Sequence, residues 1–220
     1  MEQSELFPAA PGHIGTDESG KGDYFGPLVV AGFFLPDDQE VVLRELGVKD
    51  SKRISDNRCR EIAETLKQGY TYSIVTIGPE KYNELYDRFR NLNKLLAWGH
   101  ARAIENILDR VPASMAVTDQ FGSERFVLNA LLERGRKIEL VQRTKAEEDL
   151  AVAAASILAR AEFLKRLHFL GVDCGLELPK GAGPQVEQVA AALVRTRGAG
   201  TLKKVAKTHF KITGRVLATA

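Results

Sequence analysis

Three apolar, β-prone runs precede any alternation of helix and strand in this chain, and that order restricts its fold more than any other feature. Residues 13–17 and 28–35 flank a Gly-rich connection and read as neighbouring strands, and residues 70–77 read as a third. After them the pattern switches to helix over 91–111, strand over 115–119, helix over 124–134 and strand over 137–142, followed by a long Ala-rich helix from about residue 145. Further helices are expected over 186–194 and 202–207. Three strands followed by α-β-α-β-α predict an α/β fold: a five-stranded mixed sheet with helices on its faces and a C-terminal helical extension. With 220 residues, 44% of them apolar, the chain can bury one sizeable core. The expected organisation is a short polar lead-in over 1–12 and a single domain over 13–220.

The formal charge of +2 hides an asymmetry, because residues 160–220 hold eleven Lys and Arg against four Asp and Glu. A basic segment of this kind suits a polyanionic partner. No apolar stretch approaches the roughly 20 residues of a membrane span, and no secretory leader pattern opens the chain, so a cytoplasmic location is expected. Cys59 and Cys174 have no His or Cys at zinc-ligand spacing and read as free thiols.

Acidic residues stand where strands end. Asp17 and Glu18 close the first strand beside Gly20 and Gly22, Asp119 closes the strand 115–119, and Glu147, Glu148 and Asp149 follow the strand 137–142. Sites in open α/β sheets gather at such strand ends. Carboxylates that converge repel one another unless a hard cation lies between them, bound through oxygen ligands. Two Mg²⁺ ions about 3.5–4 Å apart would activate a water and stabilise a leaving oxygen in phosphodiester hydrolysis. The run Gly15-Thr-Asp-Glu-Ser-Gly20-Lys21 comes close to a nucleotide-binding P-loop, but Gly22 stands where a Ser or Thr would hold Mg²⁺. Pro27 and the apolar run after it continue as strand instead of helix, and two carboxylates in a phosphate cradle would repel its ligand, so the NTPase reading is set aside.

The run Asp-Glu-Ser-Gly-Lys-Gly-Asp-Tyr-Phe-Gly-Pro-Leu-Val-Val-Ala at 17–31 resembles the signature of type 2 ribonucleases H, and within them ribonuclease HIII. Asp50-Ser51-Lys52, the segment 91–103 and the segment 144–160 carry the same resemblance, which extends to Lys207-Thr-His-Phe. It implies a ribonuclease-H-like fold and a metal-dependent endonuclease acting on the RNA strand of RNA–DNA hybrids with Mg²⁺ or Mn²⁺, leaving 3′-hydroxyl and 5′-phosphate ends. It also implies an acidic quartet of Asp17, Glu18, Asp119 and Glu147. Spacing from Glu147 to the Ala-Ala-Ala-Ser run is one residue tighter than the family pattern, which keeps Glu148 in reserve. By the same resemblance, Gly20, Lys21 and Gly22 form a turn that reads the ribose 2′-hydroxyl. Glycine suits that role, since it lets main chain approach without a Cβ, and the 2′-hydroxyl is what separates RNA from DNA.

Lys21, Ser51, Lys52 and Lys180 are candidates for backbone phosphates, with the basic C-terminal segment extending the surface. His100 and His209 are assigned structural or phosphate-contact roles, and Trp98 is placed in the core with Leu95, Leu96 and Ile104. Ribonuclease HIII usually has an additional N-terminal substrate-binding domain, whereas only about a dozen residues precede the signature here. Incision at single ribonucleotides in duplex DNA is therefore an alternative reading. A resolvase-like DNA nuclease and a binding-only hybrid sensor are weaker ones. No membrane and no obligatory protein partner is implied.

Overall fold

The computed structural model describes residues 11–120, 122–123 and 125–219. Most of the lead-in and Glu124, the expected start of one helix, lie outside them. Five strands form one mixed sheet: β1 (Gly12–Ser19), β2 (Leu28–Pro36), β3 (Tyr72–Ile77), β4 (Met115–Asp119) and β5 (Glu139–Arg143), in the order β3-β2-β1-β4-β5. β1 is central, antiparallel to β2 and parallel to β4. This is the five-stranded mixed sheet expected from the order of elements.

The helices are α1 (Glu40–Leu46), α2 (Asp56–Gly69), α3 (Pro79–Phe89), α4 (Leu92–Leu108), α5 (Arg125–Ala130), α6 (Leu150–Cys174), α7 (Pro184–Arg197), α8 (Thr201–Val205) and α9 (Lys211–Thr219). Among the described residues, no helix is long and apolar enough to cross a membrane. The long α6 lies against β1 and β2 on one sheet face with α2 packed along it, and α4 covers the other face. Buried alanines at 151, 153, 154, 155 and 159 let α6 sit close to the sheet. Its start is fixed by Asp149, whose carboxylate accepts hydrogen bonds from the Ala151 and Val152 amides as an N-cap.

Strand alternation sorts the side chains of β1 between these two layers. Ile14 packs with Ala101 and Ile104 on the α4 side, whereas Gly15 faces the backbone of α6 at Ala151. Leu95, Leu96 and Ile104 are buried as expected, but Trp98 is 38% exposed. It shares the i, i+4 row of Lys94 and Arg102, which points away from the sheet. The helix expected over 124–134 is also shorter than its pattern suggests. The buried Glu105 carboxylate accepts from the Leu132 and Gly135 amides, so the chain leaves helical geometry after Ala130. The helix expected from residue 145 begins later, at Leu150, after a single 3₁₀ turn over Ala146–Glu148.

A pair of hydrogen bonds ties the start of β1 to the cap of α6, with His13 Nε2 at 2.9 and 3.0 Å from the two Asp149 carboxylate oxygens. The hydrogen bond to Asp149, opposed by burial, raises the His13 pKa above its ordinary value. Burial acts to raise that of Asp149, but the bond and charge from His13 and two backbone amides outweigh it and lower it. Stability from the raised histidine is complete below about pH 6.5 and disappears as pH rises through its folded pKa. Stability from Asp149 is present above about pH 4 and is lost only as pH falls through its lowered value. The melting temperature should therefore fall as pH rises from about 6 to about 9, and His13→Gln should flatten that limb. A thermal-melt series across this range checks it, and an unchanged slope in the variant would remove the pair from the account.

Candidate active site

At the ends of β1 and β4, a cleft of about 600 Å³ is lined by Asp17, Glu18, Ser19, the Gly20–Gly22 turn, Ser51, Lys52, Asp119 and Arg160. Parallel pairing sets the two strands in register, with Thr16 opposite Thr118, and so brings Asp17 and Asp119 to the same sheet edge. By alternation Asp17 continues the α6-facing row of Gly15, and Glu18 the α4-facing row of Thr16.

Beneath the cleft, His100 of α4 is fully buried, its Nδ1 2.8 Å from Thr16 Oγ1 and its Nε2 3.2 Å from Glu18 Oε2. It belongs to the support of Glu18, consistent with a structural role. Lys21 Nζ reaches Glu18 Oε1 at 3.2 Å. Burial would raise the Glu18 pKa, but the hydrogen bonds and charges of His100 and Lys21 prevail and hold it well below the usual carboxylate range. Asp17 goes the other way. Burial, followed by the charges of Glu18 and Asp119, pushes its carboxyl well above the ordinary value against the opposing Glu18 amide and Lys52. The Glu18 amide donates to Asp17 Oδ1 at 2.8 Å and fixes the side chain at the strand end.

The basic wall comes from two other elements. Asp50 caps the Ser51–Arg53 turn through the Lys52 amide, and the Ser51 amide contacts Ser156 Oγ of α6 at 3.3 Å. Arg160, one turn along α6 from Ser156, donates to the Ser51 and Ile54 carbonyls and pairs with Asp56. Sequence reasoning did not single out Arg160. The available signal was its place as the one cation ending the Ala-rich run, on the row of Ser156. Lys180 does not line the cleft. It pairs at 2.6 Å with Asp56, and that carboxylate links it to Arg160.

Glu147 is half-buried and Glu148 exposed, both in the 3₁₀ turn that Lys145 enters through a left-handed backbone (φ 56°). Neither is among the residues lining the cleft. Ala146 beside them is packed between Val117 of β4 and Val152 of α6, which keeps this turn next to the strand that ends in Asp119. His209 lies elsewhere, stacked on Tyr86 and Tyr82.

Among the described residues, no three His, Cys, Asp or Glu side chains stand close enough to form a ready-made metal cage. The donor chemistry of the cleft nevertheless fits a hard divalent cation. Its ligands are carboxylate oxygens, and Asp17 is both desolvated and repelled by its acidic neighbours, a combination that a bound cation relieves.

Comparison with known proteins agrees with this architecture. A ribonuclease HIII from Protochlamydia amoebophila is 45% identical over 205 residues, covering 93% of this chain and 68% of that protein. One from Chlamydia felis is 44% identical over 201 residues, covering 90% and 67%. The crystal structure of Bst-RNase HIII in complex with Mn²⁺ superimposes with a TM-score of 0.89 at 33% identity, over 96% of this chain and 71% of that one. Ribonuclease H2 from Pyrococcus horikoshii OT3, at 21% identity and a TM-score of 0.79 over 94% of this chain and 98% of its own, shares the fold. The sequence pattern of the ribonuclease HII family matches residues 14–213, nearly the whole chain, and the chain belongs to that family.

Proposed function

We propose that this protein hydrolyses the RNA strand of RNA–DNA hybrids, leaving 3′-hydroxyl and 5′-phosphate ends. The observation that carries this reading is the convergence of Asp17, Glu18 and Asp119 on one cleft whose rim is the Gly20-Lys21-Gly22 turn. Divalent ions, Mg²⁺ or Mn²⁺, would supply a nucleophilic water and neutralise charge developing at the scissile phosphate. Asp17, Glu18 and Asp119 would hold them, with Glu147 as the fourth carboxylate and Glu148 as its alternate. The protein's own task is to fix the strand. Gly22 faces open space with nothing within 4 Å of an added Cβ, so a ribose can approach its main chain closely. Lys21, Lys52 and Arg160 offer cations around the cleft, Ser51 offers a hydroxyl, and Lys180 extends the basic surface through Asp56.

The test is cleavage of three duplexes with and without EDTA: an RNA–DNA hybrid, a DNA duplex, and a DNA duplex with one ribonucleotide. EDTA-sensitive cutting of the hybrid and an intact DNA duplex are expected. Cutting of the DNA duplex alone would replace this reading with a resolvase-like one, and cutting of the single-ribonucleotide duplex alone would move it to ribonucleotide incision. Four cations near the path also predict that log Kd rises with log salt at a slope of about 3.6, or ~100-fold weaker hybrid binding between 50 and 200 mM salt. Fluorescence anisotropy across that range measures it, and a flat response would reject phosphate tracking by this face.

A further inference from the structure

The Gly20–Gly22 turn is tied to β1 by the Lys21–Glu18 side-chain contact, while its own main chain is only loosely closed. Its internal main-chain contact is a long one, Asp23 amide to Gly20 carbonyl at 3.4 Å. Placement of the turn therefore depends on its two ends. One end is β1. The other is residues 23–26, which precede β2 and take no part in the sheet ladder, with Gly26 in a left-handed conformation (φ 83°). Their carbonyls need other partners.

Those partners come from the far end of the chain. Lys207 is fully buried, and its ammonium donates to the carbonyls of Asp23 at 2.8 Å, Gly26 at 2.7 Å and Phe25 at 3.4 Å. Its own amide donates to the Tyr24 carbonyl at 2.8 Å, and the Gly26 amide donates to Val205 at 2.8 Å. A neutral amine has only two N–H groups, so three carbonyl acceptors call for the charged form, although burial pulls its pKa down to about 7. A buried cation without a carboxylate in hydrogen-bond contact is a poor device for stability alone, because desolvation offsets much of what its bonds contribute. It is well suited to fixing one course of backbone, since carbonyls that leave it are left unsatisfied. Asn83 of α3 secures the clamp, donating to the Ala206 carbonyl at 2.9 Å and accepting from the Thr208 amide at 2.9 Å.

We propose that Lys207 is a positioning residue for ribose discrimination, its buried ammonium holding residues 23–26 so that the Gly20-Lys21-Gly22 turn presents its main chain to the 2′-hydroxyl. This role rests on the ribose-reading function proposed for the turn.

The test compares affinities for an RNA–DNA hybrid and a DNA duplex of the same sequence, measured in the Asp17→Asn protein to prevent turnover. Lys207→Met should lower the hybrid-over-DNA affinity ratio by about fivefold or more, and Lys207→Arg should restore part of it. Leu131→Ala, which trims a buried contact in the separate apolar cluster under α4, should lower the melting temperature and leave the ratio intact. Hydrogen exchange at the Tyr24 and Gly26 amides should accelerate in Lys207→Met and not in Leu131→Ala. If Lys207→Met does not fold, Asn83→Ala is read in the same way, with a smaller fall expected in the same direction. A parent protein that discriminates, with a folded Lys207 or Asn83 variant that discriminates as well, overturns the role of Lys207 alone. A parent that binds hybrid no better than DNA overturns the ribose-reading function and this role with it.

Discussion

Asp17→Asn should abolish hybrid cleavage, lowering kcat by about a thousandfold or more, which corresponds to at least ~4 kcal/mol of transition-state stabilisation. It should do so without harming the fold. The amide oxygen can still accept from the Glu18 main chain, as Oδ1 does at 2.8 Å, and the side chain keeps its size. What disappears is a negative charge at a place where burial, Glu18 and Asp119 already disfavour one. Two melting curves separate these effects. In EDTA the variant should melt at least as high as the parent, because a repulsive charge has gone. In Mg²⁺ or Mn²⁺ the parent should gain stability by ligand linkage, and the variant should gain much less. Wild-type cleavage by Asp17→Asn in ordinary Mg²⁺ would remove Asp17 from the metal site. A variant that melts far below the parent in EDTA would show that the carboxylate is structural.

The largest expected effect on stability lies three strand positions before the acidic pair is complete, at Gly15. A Cβ there would stand 2.2 Å from both the Ala151 carbonyl carbon and the Val152 nitrogen, and 2.6 Å from the Ala151 oxygen. All three are backbone atoms of α6, so no side-chain rotation relieves the clash. The strand or the helix must move as a body. Overpacking of a tight core usually costs about 1–3 kcal/mol, and a backbone-to-backbone clash belongs at or above the top of that range. For a domain of this size, about 3 kcal/mol corresponds to a fall of roughly 6–12 °C in melting temperature. Gly15→Ala should also weaken catalysis, because displacement of α6 carries Arg160 and Ser156 away from the Ser51 turn. A Gly15→Ala protein within about 1 °C of the parent would mean that α6 does not rest on β1 as described.

These two positions differ in how far the sequence reveals them. Asp17, Glu18 and Asp119 each end an apolar β-prone run, so strand periodicity and the chemistry of clustered carboxylates mark them before any fold is known. The same applies to β1 to β5, whose number and mixed character follow from the order of apolar runs. Gly15 carries no comparable local mark. Its lack of a side chain matters only because a helix more than a hundred residues away passes over it. Trp98 was misread because an aromatic among leucines suggests a core face, whereas the helical row it occupies is settled by which side of α4 meets the sheet. α1, α3 and α9 lie outside the elements read from the sequence, although α3 opens on Pro79 and carries an amphipathic pattern that marks a helix locally. They are held by tertiary contacts, as in the case of α3, where Asn83 reaches the segment before α9.

By itself, then, the amino-acid order determined the secondary-structure alternation, the three carboxylates that share the cleft, and the glycine turn beside them, because each depends on residues near in the chain. The tertiary structure alone decided that His100 and Lys21 flank Glu18, that Arg160 completes the cleft wall, and that Lys207 holds the turn from the opposite end of the molecule. The reason is physical: hydrogen bonds and desolvation depend on distance in space, and packing α6 and the C-terminal segment against β1 brings together groups that chain connectivity leaves far apart.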